Sequence, residues 1–201
     1  MTTRRGTPNR HVARSEATRA TLIATARELF AECGYANVST EEVVARAGVT
    51  RGALYHQFED KAALFRAVFE AVEGELAQRL AGEALTRDDP WEAQLAGLDA
   101  FLVACGEKEI QQIALLDAPS VLGWETWREI EAQYGLGLVM AGLHNLIELG
   151  LIPEQPVEPA AHAILGAVAE AGLYVARADD PEAARAEMSE VVRRMVEGLR
   201  R

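Results

Sequence analysis

Two helix-start signals lie close together in this chain with a glycine between them. Ser39 precedes Glu42 by three residues, the spacing of a capping box, with Thr40 as a rival cap. Thr50 opens a second run in the same way, and Gly48 stands between the two. A helix starting at residue 39 or 40 therefore has room for only about two turns before the chain must bend. Val43, Val44 and Ala47 give that helix an inward face. Leu54 and Phe58 give the next one its own inward face, with Val49 just before it. Helix, tight glycine turn and short helix make a helix-turn-helix over about residues 39–58.

The rest of the chain carries the same 3.6-residue period. Upstream, Leu22, Ala26, Leu29 and Phe30, widened by Ile23, mark a helix from Ser15 that Gly34 ends. Downstream, Asp60 caps a longer helix bearing Leu64, Phe65, Val68, Phe69, Val72 and Leu76. Asp88, Asp89 and Pro90 mark a further start, continued by Leu95, Leu98, Phe101 and Leu102. Residues 110–116 read as a shorter apolar helix closed by Asp117, Ala118 and Pro119. Residues 124–149 follow, and their glycines at 135, 137 and 142 suggest irregularity or close packing. Pro153, Pro156 and Pro159 delimit a loop before helices over 160–177 and 181–199. No strand run interrupts this. The expected fold is all-α, a three-helix helix-turn-helix domain over 15–66 and a helical domain over 67–201. Residues 1–14, with Arg4, Arg5, Arg10 and Arg14, read as a mobile basic arm.

Charge separates the same two parts. The chain carries −11 overall, yet residues 1–66 hold 10 basic and 7 acidic side chains, and residues 67–201 hold 10 and 24. A head of +3 on a body of −14 suits a nucleic-acid-reading domain attached to an acidic partner domain. No uninterrupted apolar run and no leader-like stretch stands out, so the expected compartment is the cytoplasm and no membrane partner is expected. Glycine-rich phosphate loops, paired HxxxH, CxxC and serine-elbow motifs are all missing from the sequence. His11, His56, His144 and His162 fall in four unrelated segments. Neither an enzyme, a cofactor nor a metal site is expected. Cys33 and Cys105 read as two small buried thiols, unpaired.

On the second helix of the motif, the inward positions belong to the core, which leaves Arg51, Gly52, Tyr55 and His56 outward, with Thr50 at the N-terminal end. Such a helix enters the major groove. Arg51 can give two hydrogen bonds to guanine or a charged contact to phosphate. Gly52 lets the backbone approach closely. The Tyr55 hydroxyl suits a phosphate. The Thr40 and Thr50 hydroxyls and the free amides at their helix starts suit phosphate oxygens, as does Lys61 at the start of the next helix.

The stretch from 24 to 69, containing ARELFAECGYANVSTEEVVARAGVTRGALYHQFEDKAALFRAVF, resembles the N-terminal domain of TetR-type repressors. Tyr55, His56, Gln57 and Phe58 followed by Lys61 and Leu64 carry the resemblance most specifically. It implies that the third helix reads the major groove and that Thr40, Thr50, Tyr55, His56 and Lys61 contact backbone or bases. The stretch LLDAPSVLGWETWREIEAQYGLG is similar to the C-terminal domain of one subset of these regulators. The resemblance also implies a homodimer joined by its last two helices, a double-stranded, palindromic DNA operator and a small-molecule effector.

The residues support part of this. Met188, Val191, Val192, Met195 and Leu199 form an apolar stripe on the last helix. His162, Leu165, Ala169 and Leu173, with Gly166 and Gly172, allow close approach on the one before. Together they suit a four-helix contact between subunits or an ordinary core. Phe101, Trp124, Trp127, Tyr134, Met140 and His144 are the candidates for an apolar effector pocket, though such residues also build cores. Glu107, Glu125 and Glu129 either orient a cationic effector or are solvated. The expected function is a ligand-responsive repressor. The alternative is a dimeric helical interaction module that binds no DNA.

Overall fold

The structure is a computed structural model that describes residues 10–200. It divides into two compact units, one reaching to Val68 and the other starting at Phe69. Among the described residues all regular structure is helical.

In the first unit, α1 (Arg10–Cys33), α2 (Thr40–Ala47) and α3 (Arg51–Gln57) pack on one another, and α4 (Lys61–Ala84) joins them through Phe65, whose ring lies 5.3 Å from that of Phe30. The caps form as the sequence suggests. The Ser39 hydroxyl accepts from the Glu42 amide at 3.1 Å, and Asp60 accepts from the Ala63 amide at 2.7 Å. Gly48 ends α2 at φ +65°, a left-handed conformation that glycine enters without a Cβ penalty. Gly34 leaves α1 at φ +79°. Leu22, Phe30, Val43, Leu54, Leu64 and Phe65 are fully buried. Each such side chain contributes about 1.5–3 kcal/mol of transfer free energy.

Two sequence expectations need correction here. The helix begins at Arg10 rather than Ser15, so residues 10–14 of the expected arm are helical, while residues 1–9 lie outside the described part. Gln57 on α3 donates to the Ser15 hydroxyl at 2.7 Å, which ties that early turn to the domain. Cys33 is exposed, and only Cys105 is buried.

The second unit comprises the rest of α4, α5 (Pro90–Ala104), α6 (Ala118–Leu122), α7 (Trp124–Glu131), α8 (Gly137–Glu148), α9 (Val157–Ala176) and α10 (Pro181–Glu197). Its core joins Trp91, Leu95 and Leu102 of α5 to Leu143 and Leu146 of α8. Ala161, Val168 and Ala171 of α9 and Val192 and Val196 of α10 complete it. Arg193 on α10 reaches Asp99 on α5 at 2.9 Å.

Residues 110–117 and 132–136 are π-helical, with the backbone paired one residue further than in an α-helix. The glycine-marked irregularity in 124–149 is therefore real. Residues 117–119 do not close a helix. Pro119 lies in the first turn of α6, and Pro159 likewise lies in the first turn of α9, where no backbone N–H is needed.

α9 is long and apolar enough to cross a membrane by length and composition, and only a third of that stretch is buried within the chain. One face packs on α5, α8 and α10.

At Gly172 on α9 a Cβ would stand 2.7 Å from the Cys105 sulfur and 3.2 Å from the Phe101 ring. The Gly172→Ala variant should therefore lose about 1–3 kcal/mol in urea unfolding. Adding Cys105→Ala should restore part of that loss, because the two sites share one space. Strict additivity of the two changes would argue against this contact.

Candidate nucleic-acid interface and candidate effector site

The outward face of α3 begins at its cap. The Thr50 hydroxyl accepts from the Ala53 amide at 3.2 Å, so its own proton stays available to an acceptor outside the helix. Arg51 and Tyr55 follow one turn apart, both exposed. The Arg51 guanidinium lies 5.5 Å from the centre of the Tyr55 ring and 3.2 Å from a Glu41 carboxylate oxygen. That ion pair is well exposed, so little free energy resists its exchange for another acceptor. The Tyr55 hydroxyl stands 3.4 Å from that of Thr40, which brings two hydroxyls from α2 and α3 together. His56 is exposed on the last turn of α3. Gly52 is open: a Cβ there would meet only the Thr50 hydroxyl oxygen, at 4.0 Å.

Lys61 departs from its expected role. Its ammonium donates to the carbonyls of Tyr35 at 2.8 Å and Val38 at 2.9 Å, and it lies 3.9 Å from the Tyr35 ring centre. The charge is directed into the domain. The Tyr35 carbonyl also accepts from the Val38 amide at 3.3 Å, so the ammonium reinforces that turn and satisfies the Val38 carbonyl.

The expected pocket residues do not gather at one place. Trp124 is 67% exposed, and His144 is exposed on α8, so neither lines an interior pocket of this subunit. Trp124 stacks on Trp127 at 5.0 Å, and Arg128 lies over both rings. Phe101 and Met140 pack against the core, and Trp127 is buried. Tyr134 covers Gly74, with its ring 3.5 Å from the position of a Cβ there. Glu107 pairs with Arg79 in two hydrogen bonds of 2.7 and 3.0 Å, and Glu125 and Glu129 are exposed.

The sequence reading missed two carboxylates. Glu73 on α4 is raised to about 7 by burial first and then by Glu131. Glu131, hydrogen-bonded to Arg128, is also raised by its burial, against the opposing effect of that arginine. A signal was available. Glu73 stands four residues after Phe69 and three before Leu76, both buried, so it falls on the apolar stripe of its helix.

The stripe assigned to subunit contact is also divided. Val192 is 3% exposed and belongs to the core of its own subunit. Leu165 points at Gly135, 3.2 Å from a Cβ position, so it too faces inward. Met188 and Leu199 pack partly on the core, and Ala169 and Leu173 are half-buried. His162, Val191 and Met195 are exposed, together with Ala163 and Tyr174, which the period alone did not single out. A helix that is apolar nearly all round does not tell from sequence which side faces its own core.

The chain matches the family described as bacterial regulatory proteins, tetR family, over residues 22–68. It matches the tetracyclin repressor-like C-terminal domain over residues 91–199. The crystal structure of a TetR-family transcriptional regulator from Pectobacterium atrosepticum is 37% identical, with a TM-score of 0.84 over 93% of this chain and 96% of that one. RolR, crystallised with its ligand resorcinol, shares the fold at 22% identity, with a TM-score of 0.72 over 92% of this chain and 89% of that one. The transposon Tn10 TetC protein of Escherichia coli is 28% identical over 130 residues, 63% of this chain and 64% of that protein. The regulator AcrR of Shigella flexneri is 36% identical over 64 residues, 32% of this chain and 30% of that protein. The matches thus span less than two thirds of the length of either of these two relatives.

Exchanging Lys61 for methionine should leave the Val38 carbonyl unpaired, that of Tyr35 keeping the Val38 amide, and lower stability by about 1–3 kcal/mol, read by urea unfolding. Unchanged stability with selectively weakened DNA binding would return Lys61 to the DNA.

Proposed function

This chain belongs to the TetR family of transcriptional regulators, and on that premise we propose that it is a repressor. It binds a palindromic DNA operator as a homodimer and is released by a small molecule held in its second unit. The proposed DNA contacts are Thr40, Thr50, Arg51, Gly52, Tyr55 and His56. It would act in the cytoplasm, where its operator lies.

Gly52 is the observation that carries the DNA-binding reading. Glycine inside a helix costs about 1 kcal/mol relative to alanine. Nothing in the chain needs it, since a Cβ there meets open space. The side chain is missing where the exposed Arg51 and Tyr55 flank the same face, which is what close approach of a DNA backbone requires. Arg51, nearer the N-terminal end of α3, is the side chain placed to reach a base edge. Tyr55, one turn later, suits a phosphate.

The dimer reading rests on the outer faces of α9 and α10. Ile164, Ala167, Met195 and Leu199 line an apolar groove between the two helices. On the same two helices Val191, Met195 and Tyr174 stay about half exposed, at 49%, 57% and 53%. A second copy of the same surface would cover them by two-fold symmetry.

Release by an effector requires that the effector prefer the DNA-incompetent state, since equal affinity for both states shifts nothing. The second unit matches the tetracyclin repressor-like C-terminal domain over residues 91–199, which supports placing the effector there.

An operator selected from random duplex DNA provides the test. Affinity should fall with salt, the log–log slope growing by about 0.9 for each phosphate contacted. The Gly52→Ala variant should unfold at higher urea, by about 1 kcal/mol, yet bind the operator at least about tenfold more weakly. A salt-independent affinity, or an alanine variant that binds as well as the parent, would favour an interaction module that binds no DNA.

Subunit contact has its own test. Met195→Glu should place a charge in the groove and yield folded monomers in sedimentation, whereas Val192→Glu should unfold the chain. A folded Met195→Glu dimer would remove this face from the interface.

A further inference from the structure

Four side chains close a ring on the outward side of the first unit. The Arg51 guanidinium lies 3.2 Å from one oxygen of the Glu41 carboxylate. The other oxygen of that carboxylate accepts from the Thr40 hydroxyl, also at 3.2 Å. Thr40 stands 3.4 Å from the Tyr55 hydroxyl, and the Tyr55 ring centre lies 5.5 Å from the guanidinium. Thr40 and Glu41 open α2, and Arg51 and Tyr55 are one turn apart on α3. Glu41 therefore shares the surface that presents Arg51 and Tyr55, and its side chain is exposed there.

The sign of that side chain is out of place. A carboxylate on a surface that meets duplex DNA faces phosphates, and the repulsion weakens every complex it enters. The fold gives little reason for an acid at this position. An ion pair this exposed adds little stability. The dipole of α2 favours an acid in its first turn, but Glu42 already supplies one. The cation of α2 points elsewhere: Arg46 reaches Glu28 and Glu32 on α1 at 3.5 and 3.9 Å. Of its charged side chains, α2 thus sends a negative one to the face of Arg51 and its positive one to α1. Phosphate binding alone would select the reverse.

What DNA offers a carboxylate is a donor. In the major groove the donors are exocyclic amino groups, N4 of cytosine and N6 of adenine. Adenine sets its N7 acceptor beside N6, which suits an amide and repels a carboxylate. Cytosine has no acceptor on its own edge beside N4. We infer that Glu41 is a base-reading residue whose carboxylate, held by Arg51 and Thr40, accepts from cytosine N4 in the base pair next to the guanine that Arg51 reads. The inference rests on the reading of α3 as the DNA-reading helix and adds a contact from α2. Glu41 enters from the helix that crosses the backbone, so it meets the pair beside the one under Arg51. A carboxylate has about four lone-pair sites, so contacts with Arg51 and Thr40 leave room for a third donor. The guanidinium has five N–H donors, enough to hold guanine and Glu41 together. In water their contact is weak, but between protein and DNA, where water is excluded, it strengthens, and each side chain orients the other. Glu41 thereby weakens binding to DNA in general and widens the gap between the operator and other sequences.

The experiment uses the full chain as wild type, Glu41→Gln, Glu41→Ala and Arg51→Ala. Wild type selects its operator from random duplex DNA, and affinities for every single-base-pair variant of that site are read by fluorescence anisotropy at fixed salt. Arg51→Ala should mark its guanine by losing discrimination there. At a neighbouring pair wild type should prefer cytosine about tenfold. Glu41→Ala should lose that preference while binding random duplex more tightly than wild type. Glu41→Gln should move the preference to adenine, whose N6 and N7 an amide reads together. It keeps the size of glutamate, so it carries the test should the alanine variant unfold. Unchanged discrimination at every pair in the Glu41 variants would overturn the inference. So would a uniform fall in affinity for all duplexes. A loss confined to the guanine under Arg51 would reduce Glu41 to a positioning partner and overturn its base contact. If wild type selects no sequence and binds without salt dependence, the reading of α3 fails and this inference with it.

Discussion

The ammonium of Lys61 ends on the carbonyls of Tyr35 and Val38 with the ring of Tyr35 beneath it. The first unit depends on that contact. The loop between α1 and α2 closes a turn of its own, the Val38 amide on the Tyr35 carbonyl at 3.3 Å, and it must then deliver Ser39 to the start of α2 in an extended conformation. By tying this loop to the first turn of α4, Lys61 fixes where α2 starts. Gly48 then fixes where α3 starts. Tyr35 takes part as well, edge-on to Phe65 at 5.1 Å and tilted on Phe30 at 5.6 Å. A charge that the sequence assigns to the DNA is thus spent on the geometry that presents α3.

The first unit was almost wholly legible in the sequence, because its signals are local and redundant. Caps, turn glycines and apolar period all specify the same helices, as Ser39, Gly48, Thr50 and Asp60 show. Lys61 misled because a cation at a helix start satisfies two readings equally well, and only the tertiary position of Tyr35 and Val38 separates them. The second unit was legible as helices and much less so as faces. Val192 and Met195 are three residues apart on one apolar stripe, yet one is buried in the core and the other is 57% exposed. Pro119 was read as a stop when it is a start, since proline marks either end of a helix in sequence and only one in space.

Aromatic content alone does not mark a ligand site in the second unit. Trp127, Phe101 and Met140 are explained by packing, and Trp124 by stacking at the surface. Glu73 is explained by neither. Packing alone would favour leucine or glutamine at that place on α4, between Phe69 and Leu76. A carboxylate there, raised by burial and by Glu131, departs from the local consistency of the helix. The two π-helical segments are departures of the same kind in the backbone.

The charge division between the two units has a consequence for specificity. A body of −14 repels duplex DNA, while a head of +3 attracts it only within about a Debye length, roughly 8 Å at physiological salt. Loose complexes, in which the head lies away from the groove, gain little from phosphate neutralisation. Snug complexes gain the short-range hydrogen bonds that salt screens least. The exposed ion pair of Arg51 with Glu41 opposes such contact little. An acidic chain is therefore not a poor DNA binder by default, because the same charge that weakens every encounter widens the gap between operator and bulk DNA.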